Sequence, residues 1–400
     1  MIQKDKTYNL ATFLCLYIAQ TIPMSFFSTV IPVMMRQENF SLSAIGLLQL
    51  IKLPWILKFL WSPMIDRHAR TTGDYKRWIF SSELIYAALI FAVAFLDFHT
   101  DFYTIVGLII ISFIASATQD IATDALAVLS FSRQDKSMVN SMQSMGSFGG
   151  SMIGGGLLLL MFKQIGWNSL LPCLALFVII ALLPLFFNKG LQITPKDTGE
   201  RAKKADVIYF FTRKKIWRQI GFLFLYYSGL IGILAMLKPF LVDLGYEMKE
   251  IGIMSGMAGT SVGCIASYAG GCIMRKIGRY KARILFACFV LTATLYFLGL
   301  SYVYPTTPLL YGGIFLLWGS YGMATIVVYT TAMDCVRPGR EGTDFTIQTV
   351  ITHLSGMIMA ILSGKIADKT GYHGLFFFET GIAVLSLIYI LVLFKKEKAS

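Results

Sequence analysis

The chain has 400 residues, of which 56% are hydrophobic and only 14% are charged, with a formal net charge of +13. Soluble domains carry about 25% charged residues, so this composition excludes an ordinary soluble enzyme or binding domain. Repeated apolar runs of about 20 residues are typical of a helical protein that crosses a membrane many times. The six cysteines form no C-x-x-C pair, which argues against a disulfide framework or a metal site.

Twelve apolar segments are predicted to span the membrane. In the first half they are 9–34, 43–63, 78–96, 103–131, 139–162 and 168–187. In the second half they are 219–242, 250–273, 284–303, 307–333, 343–364 and 374–394. We read the first segment as a retained helix, because no small-residue cleavage site follows it. The predicted fold is an all-α membrane protein with an N-terminal six-helix bundle (1–187), a linker loop (188–218) and a C-terminal six-helix bundle (219–400).

The positions of the basic residues predict the orientation of these spans. Most of the 35 Lys and Arg residues lie in loops on the side that holds the N-terminus, and many of them lie in the linker. The positive-inside rule therefore predicts that both termini and the linker are cytoplasmic. Topology and contact with anionic lipid explain the basic linker, so we expect membrane lipid and not nucleic acid as a partner.

Charged residues interrupt two of the apolar segments in the first half. Lys52 and Lys58 lie in the second span, and Asp120 and Asp124 lie in the fourth. A charge at the bilayer centre costs at least ~2.5–3.5 kcal/mol and normally faces a protein interior or a water-filled route. At 1.5 Å per helical residue, Lys58 and Asp120 reach a similar depth. Asp120 and Asp124 share one helix face, since they are four residues apart.

Two closely spaced carboxylates raise each other's affinity for protons. We therefore expect Asp120 or Asp124 to carry a coupling proton, with Lys58 as the alternating counter-charge. A permanent ion pair between the second and fourth spans is an alternative, and so is a Lys58 that extends to the membrane surface. Lys52 is deeper and is a candidate for binding an anionic group of the solute, with Trp55 stacking on its apolar part. Pairing of Lys52 with Glu83 is the alternative.

The second half has fewer polar residues within its spans. Lys238 and Glu379 lie near the predicted outer ends of their spans and could form either a gate or a static pair. His353 is near the predicted middle of the membrane and titrates in a useful range, although a structural hydrogen bond would explain it equally well. Gln348, five residues earlier, is a candidate for polar lining.

Several motifs point to one family. The segment from Lys52 to Arg67 reads KLPWILKFLWSPMIDR, and Arg77-Trp78 follows it. Further motifs are Gln119-Asp120-Ile121, Asp124-Ala125 and Gly342-Thr343-Asp344-Phe345. Together they resemble the AmpG-like permeases, a branch of the major facilitator superfamily that also includes acetyl-CoA transporters and the RhtX/FptX siderophore importers.

The resemblance implies that the protein is a transporter of the bacterial inner membrane. We expect it not to be an enzyme and to need no cofactor. The resemblance also implies a secondary active, proton-coupled importer of an anionic amphipathic solute such as an anhydromuropeptide. A siderophore or an acyl-CoA-type compound is the alternative solute. A solute route between two rocking bundles is typical of this architecture, and we expect a monomer. On the same resemblance Gln119 joins the candidate substrate-binding residues.

Asp66, Arg67 and Arg77 resemble the facilitator latch, in which cytoplasmic ion pairs hold one conformation. Membrane topology alone would explain the two arginines but not Asp66. The second-half loop Gly271–Arg279 departs from the facilitator motif, because Arg275 stands at its acidic position.

Overall fold

The computed structural model describes residues 2–38, 51–193 and 201–394. Part of the predicted second span (43–50), part of the linker (194–200) and the last six residues (395–400) lie outside the described residues. Nine helices within those ranges are long and apolar enough to cross a membrane. The all-helical class is as predicted, whereas the count of twelve spans and the cytoplasmic termini remain predictions.

The helices of the first half follow the chain as α1 to α8. They are α1 (Ile2–Gln37), α2 (Leu53–Leu57), α3 (Ser62–His68), α4 (Thr72–Val93), α5 (Phe102–Ser130), α6 (Lys136–Met152), α7 (Leu158–Ala181) and α8 (Leu183–Phe187). A 3₁₀ turn, Lys58–Leu60, separates α2 from α3. A π-helical segment, Ile153–Leu157, joins α6 to α7.

The remaining helices run from the linker to the C-terminus as α9 to α16. They are α9 (Asp206–Thr212), α10 (Lys214–Leu225), α11 (Ser228–Asp243), α12 (Met248–Ile251), α13 (Thr260–Ile277), α14 (Arg279–Leu300), α15 (Thr307–Asp334) and α16 (Glu341–Leu393). A second π-helical segment, Gly252–Gly259, joins α12 to α13.

The 53-residue helix α16 changes direction at Gly371. The φ angle of Gly371 is 69°, in the left-handed region that glycine adopts without steric cost. The same change occurs within α7 at Gly166, where φ is 74°. Both positions lie where the sequence predicts a short turn between consecutive spans.

The described residues fall into two compact units that do not follow the predicted halves in every segment. The first contains residues 1–132, 149–208 and 336–347, and the second contains 133–148, 209–335 and 348–400. The start of α6 thus belongs to the second unit and the start of α16 to the first. In the first unit α4 packs against α5 and α7, and in the second α15 packs against α13 and α14.

Candidate functional site

A cluster of buried charged side chains lies in the interior of the first unit. Lys58 forms an ion pair with Asp120 Oδ2, and only 1% of Lys58 and 3% of Asp120 is exposed. Gln20 in α1 donates from Nε2 to Asp120 Oδ1 at 2.9 Å. The Tyr17 hydroxyl, one turn earlier, donates to Asp124 Oδ1 at 2.8 Å, and Asp124 is fully buried. Three separate segments thus hold one lysine and two carboxyl groups.

Lys58 reaches this cluster because the second span is broken at its position. Proline cannot continue a helix interior but fits its first turn, and both α2 and α3 have one there, Pro54 and Pro63. The ammonium group of Lys58 lies 5.0 Å from the centre of the Trp55 ring, within the range of a cation–π contact. Trp55, predicted to stack against solute, therefore faces Lys58.

Several other buried polar groups of the first unit have no hydrogen-bond partner within the described ranges. Both carboxyl oxygens of Glu83 and both amide atoms of Gln119 are in this state, although the two side chains are fully buried. Gln20 Oε1, Thr123 Oγ1 and the indole nitrogen of Trp55 are in the same state. Buried polar groups are normally paired with protein or ordered water, so this interior has the polarity to hold water or polar groups of a ligand.

The predicted anion-binding residue Lys52 is only partly buried and stands immediately before α2. Lys52 is more exposed than Lys58. No ion pair of the described residues joins Lys52 to Glu83. Its role in solute binding remains a prediction.

The two candidate lining residues of α16 differ in their surroundings. Gln348 is fully buried, donates to the carbonyl of Ala332 at 3.0 Å and accepts from Gln219 at 3.1 Å. Its amide is therefore engaged by protein groups. His353, one and a half turns further on, is exposed.

The side chain of Asp66 contacts the first turn of α16. Its carboxyl accepts hydrogen bonds from the backbone N–H groups of Gly342 at 2.9 Å and Thr343 at 2.7 Å, and from the Thr343 hydroxyl at 2.6 Å. The oxygen atoms of a carboxyl group can accept hydrogen bonds at a helix N-terminus, where N–H groups lack partners within the helix. Burial raises the pKa of Asp66 from its usual 3.8 to about 7; the hydrogen bonds from Thr343 and Gly342 oppose this rise, and the charge of Glu341 adds to it.

The two arginines predicted to act with Asp66 form no described ion pair with it. Arg67 and Arg77 are exposed. Arg77 lies 3.9 Å from Asp74, while no ion pair among the described residues includes Arg67. The contact at this place thus joins Asp66 to the α16 N-terminus, and no described ion pair of the two arginines forms part of it. A role as a latch remains a prediction.

The predicted partners Lys238 and Glu379 are not joined in the described ion pairs. Lys238 is exposed, whereas Glu379 is fully buried and accepts a hydrogen bond from Ser363. A gate formed by this pair would require Glu379 to leave its present surroundings.

Sequence reasoning missed a charged network around the loop before α16. Arg337 binds both carboxyl oxygens of Asp344 at 2.6–3.1 Å and lies 3.5 Å from Asp206 of α9. Arg340 lies 3.2 Å from the same Asp206. These bonds anchor the linker helix to the loop. The only signal in the sequence was Asp344 within the Gly-Thr-Asp-Phe motif, because its partners come from a distant segment.

Long apolar helices around buried ionic side chains define a multi-pass membrane transporter. The chain belongs to the Major Facilitator Superfamily, whose family model matches residues 13–356 and 281–400. The predicted resemblance to AmpG-like permeases is also confirmed by curated relatives. The anhydromuropeptide permease of Escherichia coli K12 is 24% identical over 391 residues, which cover 96% of this chain and 79% of the permease. "Putative transporter AmpG 4" of Rickettsia felis is 21% identical, with 98% of both chains covered.

Solved structures share the fold at low sequence identity. The proton:xylose symporter XylE, bound to 6-bromo-6-deoxy-D-glucose, matches with a TM-score of 0.74 and 11% identity, covering 96% of this chain and 94% of the symporter. An outward-facing bacterial homologue of the iron transporter ferroportin matches with a TM-score of 0.70 and 14% identity, covering 97% and 98% of the two chains.

Proposed function

We propose that this chain is a proton-coupled importer of anhydromuropeptides in the bacterial inner membrane. The buried cluster of Lys58, Asp120 and Asp124 is the observation that carries the coupling. The solute assignment is supported by the similarity to the Escherichia coli permease, which spans nearly the whole chain.

The charge balance of this cluster supports proton binding. One ammonium and two carboxylates together carry a net charge of −1 when all three are ionised. An uncompensated charge is costly in a buried site, so taking up one proton makes the cluster neutral. When the site opens to water, the ionised form is solvated again and the proton can leave. Lys58 remains the fixed counter-charge throughout this exchange.

Solute recognition is assigned to polar groups close in sequence to the cluster. An anhydromuropeptide offers carboxylates on its peptide and hydroxyl and amide groups on its sugars. Lys52 is suited to a carboxylate, and the amide of Gln119, without a partner in the described residues, can both donate and accept. Binding next to Asp120 places the solute where its charge affects proton release.

The test is uptake of a labelled anhydromuropeptide into proteoliposomes under an imposed pH difference. We expect Asp120→Asn and Asp124→Asn to lower gradient-driven accumulation but to retain some exchange of solute across the membrane. Asp368→Asn, the same chemical change at an exposed position, serves as the matched control. Full gradient dependence in both buried variants would show that these carboxyl groups do not carry the proton. If the wild-type protein takes up no labelled anhydromuropeptide, the proposed solute is wrong.

A further inference from the structure

Glu379 is a buried acidic side chain that the proposed coupling mechanism does not use. It lies in the second part of α16 and is fully buried in the second unit. Ser363, in the first part of the same helix, donates its hydroxyl to Glu379 Oε1 at 2.5 Å. The other oxygen, Oε2, has no hydrogen-bond partner within the described ranges.

The backbone around Glu379 is shaped to admit its carboxyl group. A Cβ atom at Gly232 of α11 would overlap both Glu379 Oε1 and Ser363 Oγ. A Cβ atom at Gly229, one turn earlier, would lie 2.7 Å from the Glu379 carbonyl oxygen. Two glycines on one face of α11 therefore create a niche that any larger residue would fill.

No cation among the residues that the structure describes forms an ion pair with Glu379 in this niche. Its span carries no basic residue close to it, and the basic residues of the two segments packed against it, Lys238 in α11 and Lys365 in α16, are exposed. Asp243, Asp368 and His373, nearer the ends of these segments, are exposed as well. None of the described ion pairs includes Glu379. An unpaired buried carboxylate is costly, while a protonated carboxyl group is not.

We propose that Glu379 is a second proton-binding residue, which holds a proton while it occupies the Gly229–Gly232 niche and releases it when the niche opens to water. Release converts the carboxylic acid into a carboxylate and transfers the proton to water. This inference rests on the proposed function for its link to transport, since it makes two protons accompany each solute. Proton binding itself requires no solute.

The first experiment measures protonation directly, without any solute. Infrared difference spectra of the purified protein between pH 5 and pH 9 should contain a carboxylic-acid band that disappears as Glu379 ionises. Glu379→Gln should remove this band, and Glu247→Gln, the same change at an exposed position, should leave it. Glutamine has the shape of a protonated glutamate and still accepts from Ser363, so the variant keeps the niche. An identical band in Glu379→Gln overturns the proposal.

The second experiment measures coupling in proteoliposomes with the labelled anhydromuropeptide. At a pH difference of one unit, each coupled proton contributes about tenfold to the equilibrium accumulation ratio. Glu379→Gln should lose about tenfold in this ratio and keep solute exchange, and Glu247→Gln should lose nothing. If Glu379→Gln accumulates as much solute as wild type, the proposal that Glu379 carries a second coupled proton is wrong. If no solute is taken up by wild type, the proposed function fails while the infrared result still decides proton binding.

Discussion

Arg275 and Asp135 form an ion pair in which Arg275 Nε lies 3.3 Å from Asp135 Oδ1. Arg275 occupies the position where the facilitator loop motif has an acidic residue, and Asp135 directly precedes α6. The departure from the motif is therefore accompanied by an acidic partner from another loop. Asp135 is largely buried, whereas 42% of the Arg275 side chain is exposed.

Reversing the charge at Arg275 tests this pair. Arg275→Asp should slow transport, because two carboxylates would face each other. Solvent screening limits the effect to about 1 kcal/mol, or roughly fivefold in rate. The double variant Asp135→Arg/Arg275→Asp should recover most of the loss, as measured by initial uptake rates. Equal defects in the single and double variants would mean that the two residues act independently.

Breaking the pair of Lys58 and Asp120 should destabilise the protein. Lys58→Met leaves two buried carboxyl groups without their cation, and Asp120→Asn removes the carboxylate that is paired with Lys58. Breaking a buried ion pair in this way costs about 3–5 kcal/mol. The double variant removes both charges and should regain most of this loss of unfolding free energy. The measurement is reversible unfolding of the purified protein in detergent or bicelles. Additive losses in the double variant would show that the ion pair does not couple these two side chains.

The contact between Asp66 and the start of α16 should weaken as pH rises. Asp66 has a pKa of about 7 in this contact and 3.8 in water, so protonation favours the contact. The stabilisation is complete below about pH 4 and is lost as the pH rises through about 7. Hydrogen exchange at the Gly342 and Thr343 amides, corrected for the intrinsic rate, should therefore be faster at pH 8 than at pH 6.

Asp66→Asn is the variant that checks this pH dependence. Its amide oxygen still accepts from the backbone but does not titrate in this range, so protection of the two amides should become independent of pH. Arg67→Gln, at the exposed neighbouring position, should retain the wild-type profile. The same pH dependence in Asp66→Asn and wild type would assign it to another group.

Substitution by alanine should affect the unfolding free energy differently at two glycines of the π-helical segment after α6. A Cβ atom at Gly154 would overlap the carbonyl oxygen of Ile22 and lie 2.9 Å from Ser25 Cβ, whereas nothing lies within 4 Å of a Cβ atom at Gly156. Gly154→Ala should lower the unfolding free energy by about 1–3 kcal/mol through overpacking against α1. Gly156→Ala should be neutral or slightly stabilising. Thermal unfolding of both variants measures this difference, and equal losses would contradict the proposed close approach.

The features that the sequence predicts well are those governed by local pattern. Hydropathy predicts the all-helical class, and helical rise predicts that Lys58 and Asp120 lie at similar depth, where the structure joins them. The contacts that pattern cannot supply are those made across long sequence separations. Asp66 and Thr343 are 277 residues apart in the chain, and nothing near Glu379 in sequence indicates that it would bind Ser363 instead of pairing with Lys238.

The π-helical segments Ile153–Leu157 and Gly252–Gly259 change which face of the helix each side chain occupies. A π-helical turn accommodates an additional residue relative to an α-helix, and one residue corresponds to about 100° of rotation at 3.6 residues per turn. Side chains before and after each π-helical segment therefore differ by about 100° from the directions that one regular α-helix would give them. If Lys136–Phe162 or Lys249–Ile277 were drawn as one regular α-helix, residues on one side of the π-helical segment would be assigned to the wrong face of the helix.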